Sequence, residues 1–447
     1  MRYVWLLLAA LTSGTMLAAS LPLGEQPWLA WFAFVPLIVA TRDRRIILGA
    51  VAALLTIAVA AFIAAAGIFY RHRSGGDVVT VFGACGKFAI TVGIAIAFSS
   101  DVGAWRRPAW FFAAIATLAE AIQLLDLPAH LALSQYRHPL MLQLAAAGGI
   151  WLPSFLLWWT NFQLARLRSW RLLAACAGLV ALSVATSFIR VGAPGLSQTF
   201  GVVQISEPTE KGLEVLQTEA SKGHPEFVVW PEFAGIVMAG AEDGPMKELS
   251  RRPGIAPFIT SFTDAYRPKP HNVAALFAQG SESARYAKRK LFGGEKSMHT
   301  PGSSPAAVPY SGGVVGLCIC FDSCFPEAIR ETAALPGVNV IALPTIDPPA
   351  ANYFMAGMHA AYTPFRAAES GVAMVRSDGN AYSQIVDPSG RIVAETKPGD
   401  GVLVASTPIG RRWTLYRMAG DWFLWVCGAL VLAGYVAGLR PKGPVGT

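Results

Sequence analysis

Residues 313–327 read Gly-Val-Val-Gly-Leu-Cys-Ile-Cys-Phe-Asp-Ser-Cys-Phe-Pro-Glu. The first seven form a strand-like apolar run. Phe321-Asp322-Ser323 begins a turn, and a helix is predicted from 324 to 335. Similar short β-branched runs fall at 200–205, 226–230, 256–260, 273–278, 338–343, 371–376, 383–387 and 401–406. Helical stretches lie between some of them, at 208–222 and 355–369. Strands alternating with helices predict a layered α/β domain over 195–410. A domain of that length can bury its own core.

The same stretch carries three cysteines, Cys318, Cys320 and Cys324. No matching His/Cys pair follows at zinc spacing, so a metal site is not suggested. A Cys318–Cys324 disulfide is one reading. The other is a nucleophile at the end of a buried strand, where a nearby helix N-terminus favours the thiolate. Cys318 shares the strand face of Cys320 by alternation and competes for that role. A thiol nucleophile needs a base and a stabiliser of the oxyanion. Glu232 in Val-Val-Trp-Pro-Glu-Phe (228–233) and Lys288 in Arg-Tyr-Ala-Lys-Arg-Lys-Leu (285–291) each follow a strand and supply them.

Outside this domain the chain is apolar. It has 447 residues, 53% hydrophobic and only 14% charged, against about 25% charged in a typical soluble domain. Net charge is +8, but its placement excludes a nucleic-acid binder. Residues 190–412 hold 20 basic and 21 acidic side chains, while the remainder holds 16 and 7. A basic excess confined to apolar segments and their loops is the pattern of a membrane protein. Eight spans are predicted, at 3–20, 27–40, 46–69, 79–99, 109–125, 139–164, 171–189 and 418–438. Seven form an N-terminal bundle over 1–189, and one closes the chain. The first is read as a span rather than a signal peptide, because further apolar segments follow directly.

With the N-terminus inside, Arg2, Arg42, Arg44, Arg45, Arg106, Arg107, Arg166, Arg168, Arg171, Arg440 and Lys442 are cytoplasmic. Only Arg71, Arg73 and Arg137 lie opposite. This bias predicts cytoplasmic termini and an extracytoplasmic 190–412. Lys87 and Glu120 fall inside apolar segments. They read as an interhelical ion pair or as a binding site for a lipid headgroup or substrate. Thr117, Gln123, Gln143 and Asn161 read as polar glue of the bundle.

The order Glu232, Lys288, Cys320 resembles the Glu-Lys-Cys triad of the nitrilase (carbon–nitrogen hydrolase) superfamily. Cys320-Phe321-Asp322 followed by Phe325-Pro326-Glu327 is similar to its nucleophile motif. Arg366-Ala367-Ala368-Glu369 resembles its late helix. The resemblance implies an α-β-β-α sandwich. The membrane part resembles one branch, apolipoprotein N-acyltransferase, through Trp28-Leu29-Ala30-Trp31-Phe32-Ala33-Phe34-Val35-Pro36-Leu37, Glu120, Gln135-Tyr136, Gln143-Leu144-Ala145, Gly148-Gly149 and Asn161. That branch usually has Tyr-Glu after the nucleophile, where this chain has Phe321-Asp322.

The resemblance implies an inner-membrane enzyme that needs no cofactor. Cys320 would take a fatty acyl chain from a phospholipid as a thioester. The acyl chain would then pass to the α-amine of a diacylglyceryl-cysteine lipoprotein. Glu232 would be the general base, Lys288 would hold oxyanion charge, and Glu295 would match the family's second glutamate, orienting Lys288 or the amine. Phe321, Asp322, Arg366 and Glu369 would support the site. A membrane-anchored amidase or hydrolase, or transfer to another amine, are the alternatives.

Overall fold

The computed structural model describes every residue except 1, 23, 67–77, 101–103, 123–128, 168, 194, 240–243, 265–269, 348–352 and 440–447. Arg71, Arg73, Gln123, Arg168, Arg440 and Lys442, with the predicted span ends 67–69 and 123–125, therefore lie outside the described residues. The chain divides into two units. One comprises Met1–Gln135, Gly148–Phe188 and Asp421–Thr447, and the other Tyr136–Ala147 and Ile189–Gly420.

In the second unit the β-branched runs pair into two sheets. The first has the order β13-β1-β2-β3-β4-β5, with β6 also on β4. Its members are β1 (Ser197–Gln204), β2 (Val228–Val229), β3 (Phe258–Thr263), β4 (Asn272–Ala278), β5 (Ser281–Glu282), β6 (Tyr286–Ala287) and β13 (Gly401–Pro408). The second has the order β12-β11-β10-β9-β8-β7. These are β7 (Ala306–Tyr310), β8 (Gly313–Leu317), β9 (Val338–Thr345), β10 (Ala373–Asp378), β11 (Gln384–Val386) and β12 (Ile392–Glu395).

Amphipathic helices cover the outer faces. Leu213 and Ala220 of helix Glu210–Ser221, and Met246 and Leu249 of helix Gly244–Arg251, pack on Trp230, Phe258 and Phe277 of the first sheet. Trp230 stacks on Phe258 at 4.3 Å, and its indole N–H donates to Gln217 at 2.8 Å. The ring is buried with its one polar group satisfied. Ile329 and Ala333 of helix Pro326–Ala334, and Ala367 of helix Tyr362–Ser370, pack on Ile341, Leu343 and Met374 of the second. Between the sheets, the Ser377 hydroxyl on β10 donates to the Val203 carbonyl on β1 at 2.6 Å. The layers run helix, sheet, sheet, helix. Helix Tyr362–Ser370 ends at Gly371, whose φ of 67° suits a residue without Cβ; an added Cβ would come 2.5 Å from the Arg412 carbonyl.

Strands β1, β2 and β3 run parallel, as do β8, β9 and β10. Loops at the carboxyl ends of parallel strands are where α/β folds hold their sites. Glu232 follows β2 and Cys320 follows β8.

The first unit contains helices Arg2–Ser20, Val35–Thr41, Ile46–Ala65, Val78–Ser100, Ala109–Ala121, Trp151–Leu164, Ser169–Ser187 and Trp422–Leu439. Among the described residues, three helical stretches are long and apolar enough to cross a membrane: Tyr3–Ser20, Ile46–Ala65 and Trp170–Ser187. The predicted span 27–40 breaks into a 3-10 turn, Pro27–Trp31, and the short helix Val35–Thr41. The predicted span 139–164 breaks at Gly149, whose φ is 70°. Pro153 adds to the break by offering no N–H to the residue four before it. Its first part, Pro139–Gly148, falls almost wholly within the second unit. There Gln143 donates to the Ser389 carbonyl at 3.0 Å and accepts from Arg412 at 2.7 Å. Gln143 is thus not glue of the membrane bundle.

Asn161 does serve as glue. It accepts from the Phe34 N–H at 2.8 Å and donates to the Ala30 carbonyl at 2.9 Å, tying the 27–41 segment to helix Trp151–Leu164. Thr117 instead bonds back to Ala113 in its own helix. The Glu120 carboxylate accepts from Trp158 Nε1 at 2.9 Å and from the Leu131 N–H at 3.1 Å, with His130 Nδ1 at 3.6 Å. Lys87 is also buried, but the expected pair with Glu120 is not among these contacts. The loop 129–135 folds back and reaches the acid first.

Candidate active site

Three segments, those following β2, β6 and β8, bring Glu232, Lys288, Glu295 and Cys320 into one cluster. Glu232 sits three residues past β2. Its backbone N–H bonds to the Thr345 carbonyl at the end of β9, at 3.1 Å. The next residue, Phe233, adopts φ 61°, and its N–H is held by Ser261 at 2.8 Å. Lys288 follows β6, and its own N–H bonds to the Asn272 carbonyl at 2.8 Å. Its ammonium lies 2.8 Å from Glu232 Oε1 and 2.6 Å from Glu295 Oε2. Lys288 is only 1% exposed, so this is a desolvated ion cluster rather than a surface pair.

Glu295 opens the short helix Glu295–Met298 and also accepts from the Phe292 N–H at 2.9 Å. Asn272 at the start of β4 bridges both acids, donating to Glu232 at 2.7 Å and to Glu295 at 3.0 Å. No sequence signal pointed to Asn272. It sits 40 residues from Glu232 and meets it only through the sheet register.

Cys320 begins a 3-10 turn, Cys320–Cys324, directly after β8. Its φ is 46°, left-handed backbone that a non-glycine residue adopts only when its surroundings enforce it. The thiol and the Glu232 carboxylate lie in one buried electrostatic cluster, each raising or tempering the other's proton affinity. The turn at Cys320 breaks the strand alternation, so Cys318 does not share its face. The Cys318 thiol points into the helix side of the second sheet, 3.4 Å from the Thr332 hydroxyl. Burial pushes it up to about 12. None of the six cysteines is in a disulfide, which corrects the Cys318–Cys324 reading.

The electrostatics also correct the expectation of a thiolate. Burial, reinforced by the Glu232 charge, pushes the Cys320 thiol well above its ordinary value. Burial likewise raises Glu232 above the usual carboxylate range, although Lys288 pulls it back. Burial alone would lower Lys288, but the charges around it, Glu232 foremost, hold it up. Burial would raise Glu295, yet Lys288 and the surrounding donors hold it below the carboxylate range. The cluster at rest is a thiol facing a carboxylate that a permanent ammonium supports. It can take a proton from the thiol as the sulfur attacks a carbonyl.

The supporting residues hold the turn. The Asp322 carboxylate accepts from the Ile319 N–H at 2.9 Å, the Lys290 N–H at 2.9 Å and the Tyr286 hydroxyl at 2.6 Å. It therefore locks the Lys288 segment to the Cys320 turn. Phe321 packs edge-on against Phe292 and Phe325, each at 5.0 Å. Arg366 donates to the Ser323 carbonyl at 2.9 Å and pairs with Glu369. Neither Arg366 nor Glu369 touches the triad directly. Sequence reasoning missed Tyr286 and His359, whose Nε2 lies 3.2 Å from the Cys320 carbonyl.

Both parts of the chain match known families. Residues 205–412 match the family model for carbon–nitrogen hydrolases, and residues 13–163 match that for the apolipoprotein N-acyltransferase N-terminal domain. Among curated relatives, the apolipoprotein N-acyltransferase of Gloeobacter violaceus is 38% identical over 137 residues, covering 29% of this chain and 25% of its own. That of Nostoc sp. is 29% identical over 224 residues, covering 44% of this chain and 43% of its own. The matches thus span less than half the length of these relatives. Among solved structures, an amidase from Nesterenkonia sp. AN1 carrying an acetamide adduct on its active-site cysteine is similar. It has a TM-score of 0.44 and 19% identity, covering 51% of this chain and 96% of its own.

Proposed function

This chain belongs to the apolipoprotein N-acyltransferase family, a membrane branch of the carbon–nitrogen hydrolases, and we propose that it moves a fatty acyl chain from a phospholipid to the α-amine of a diacylglyceryl-cysteine lipoprotein. The observation that carries this reading is the buried Glu232–Lys288 ion pair, in one electrostatic cluster with the Cys320 thiol, in a chain that also matches the family's membrane domain.

In the first half-reaction Cys320 Sγ attacks the phospholipid ester carbonyl and gives its proton to Glu232. The Lys288 ammonium stabilises the developing oxyanion. The C–O bond breaks, the proton passes from Glu232 to the leaving oxygen, and lysophospholipid departs. In the second, the lipoprotein amine attacks the thioester and loses a proton to Glu232. The C–S bond breaks and the sulfur regains a proton. Two half-reactions through one covalent intermediate give ping-pong kinetics. Both substrates are lipids, and each buried CH₂ contributes about 0.8 kcal/mol. The reaction therefore belongs at the bilayer rather than in water. The reading places the enzyme in a bacterial inner membrane, with its termini cytoplasmic and the catalytic unit outside.

Incubation of the purified chain with phospholipid and a diacylglyceryl-cysteine peptide tests this. An amide-linked acyl chain on the peptide supports the transferase. Lysophospholipid and free fatty acid with an unmodified peptide would favour the hydrolase, the reading that the Phe321-Asp322 pair invites.

A further inference from the structure

A second buried polar cluster, which this chemistry does not use, lies behind the nucleophile. His359 is carried by helix Tyr353–Ala360, Asp347 lies just past β9, and Arg376 and Asp378 are on β10. His359 Nδ1 is 2.7 Å from Asp347 Oδ1. Asp347 accepts from Arg376 at 2.6 Å, and Arg376 also pairs with Asp378. On its other side, His359 Nε2 lies 3.0 Å from the Ser323 hydroxyl and 3.2 Å from the Cys320 carbonyl. The Ser323 hydroxyl in turn donates to that same carbonyl at 2.8 Å.

The order Ser323, His359, Asp347 has the geometry of a hydrolase triad, but Ser323 is fully buried and its hydroxyl is committed to the Cys320 peptide. What the array touches is the nucleophile's own backbone. Cys320 is held in left-handed backbone at φ 46°. Such a conformation persists only where neighbours over-determine it. Two polar side chains, Ser323 and His359, converge on its carbonyl, while its thiol belongs to the electrostatic cluster of Glu232 and Lys288.

We propose that His359, anchored by Asp347, is a positioning residue that acts with Ser323 to grip the Cys320 carbonyl, hold the left-handed turn and keep the thiol aimed at Glu232. The proposal rests on Cys320 being the nucleophile, not on the identity of either lipid. The charged groups facing His359 are Asp347, Arg376, Asp378 and Glu232. Burial, with Arg376 beside it, pushes the imidazole down to about 3. The ring is therefore neutral near pH 7 and carries a single N–H, which on Nε2 donates to the Cys320 carbonyl, while Nδ1 accepts from the Asp347 carboxyl, whose pKa burial raises toward its protonated form.

The test is the rate at which iodoacetamide alkylates Cys320 in the full chain in detergent, followed by mass spectrometry from pH 5 to 9 alongside thermal melts. Because a misaimed group loses about 10²-fold in reactivity, His359→Phe should slow alkylation by up to that factor and alter its pH profile. His359→Gln, which keeps an amide donor, should recover much of the rate. Ser323→Ala removes one hydrogen bond and should slow alkylation about 2–10-fold. Unchanged rates and pH profiles in folded His359→Phe and Ser323→Ala protein, even with lowered melting temperatures, would make His359 a core residue only and overturn the proposal. If His359→Phe does not fold, Ser323→Ala decides alone by the same criterion. Alkylation needs neither phospholipid nor lipoprotein, so failure of acyl transfer and failure of this proposal are separately visible.

Discussion

A buried thiol beside a carboxylate keeps its proton. Cys320 is in that state, so the reactive unit is the Cys320–Glu232 pair rather than a preformed thiolate. Only ionised Glu232 can accept the thiol proton. Its pKa is raised above the ordinary carboxylate range, so acylation should fall on acidification at a higher pH than an unperturbed glutamate would give. A pH–rate profile of acyl-enzyme formation checks this; an acid limb at or below the ordinary value would contradict it. Lys288→Met should slow acylation about 10²–10³-fold if the ammonium stabilises the oxyanion; single-turnover kinetics measure it. Glu232, Lys288 and Cys320 could be proposed from the sequence because each lies just after a strand-like run, and Glu295 from the family resemblance alone. Asn272 and His359 could not. Each reaches the site only through tertiary register, Asn272 across the first sheet and His359 from a separate helix, and no local pattern encodes that.

At the scale of elements, the Cys320–Cys324 turn decides more than the strand before it. Alternation assumes extended backbone, and it fails where φ turns positive, so Cys318 and Cys320 part company. The helix-end argument for a thiolate fails on the same turn, which is a short, buried 3-10 segment. Asp322 is its main fastener, satisfying three donors. Asp322→Ala would leave buried donors without an acceptor, at about 1–3 kcal/mol each. It should lower the melting temperature and slow acylation together. Tyr286→Phe, which removes only one donor, should do so less. A variant Asp322→Ala that melts like the parent would contradict this role. Nine strands fall in the β-branched runs, whereas β7 and β12 lie outside them and β5 and β6, with two residues each, leave no pattern. Apolar composition revealed the 27–40 and 139–164 segments but not their breaks, which depend on single backbone torsions such as that of Gly149.

At the scale of the whole molecule, an apolar helical unit accompanies a carbon–nitrogen-hydrolase unit, and the proposed reaction requires both to act at a bilayer. Loop charges predict that the catalytic unit lies outside the cytoplasm. A cysteine introduced at exposed Val215 should therefore react with an impermeant maleimide in intact spheroplasts, and one at Arg44 should not. The reverse pattern would invert the topology. The central claim is that an acyl chain rides on Cys320. Intact-protein and peptide mass spectrometry after incubation with phospholipid alone tests it most directly. The account predicts a fatty-acyl adduct on Cys320 that is absent from Cys320→Ala and retained in Cys318→Ala. No adduct on the parent chain, or an adduct that survives Cys320→Ala, would contradict it.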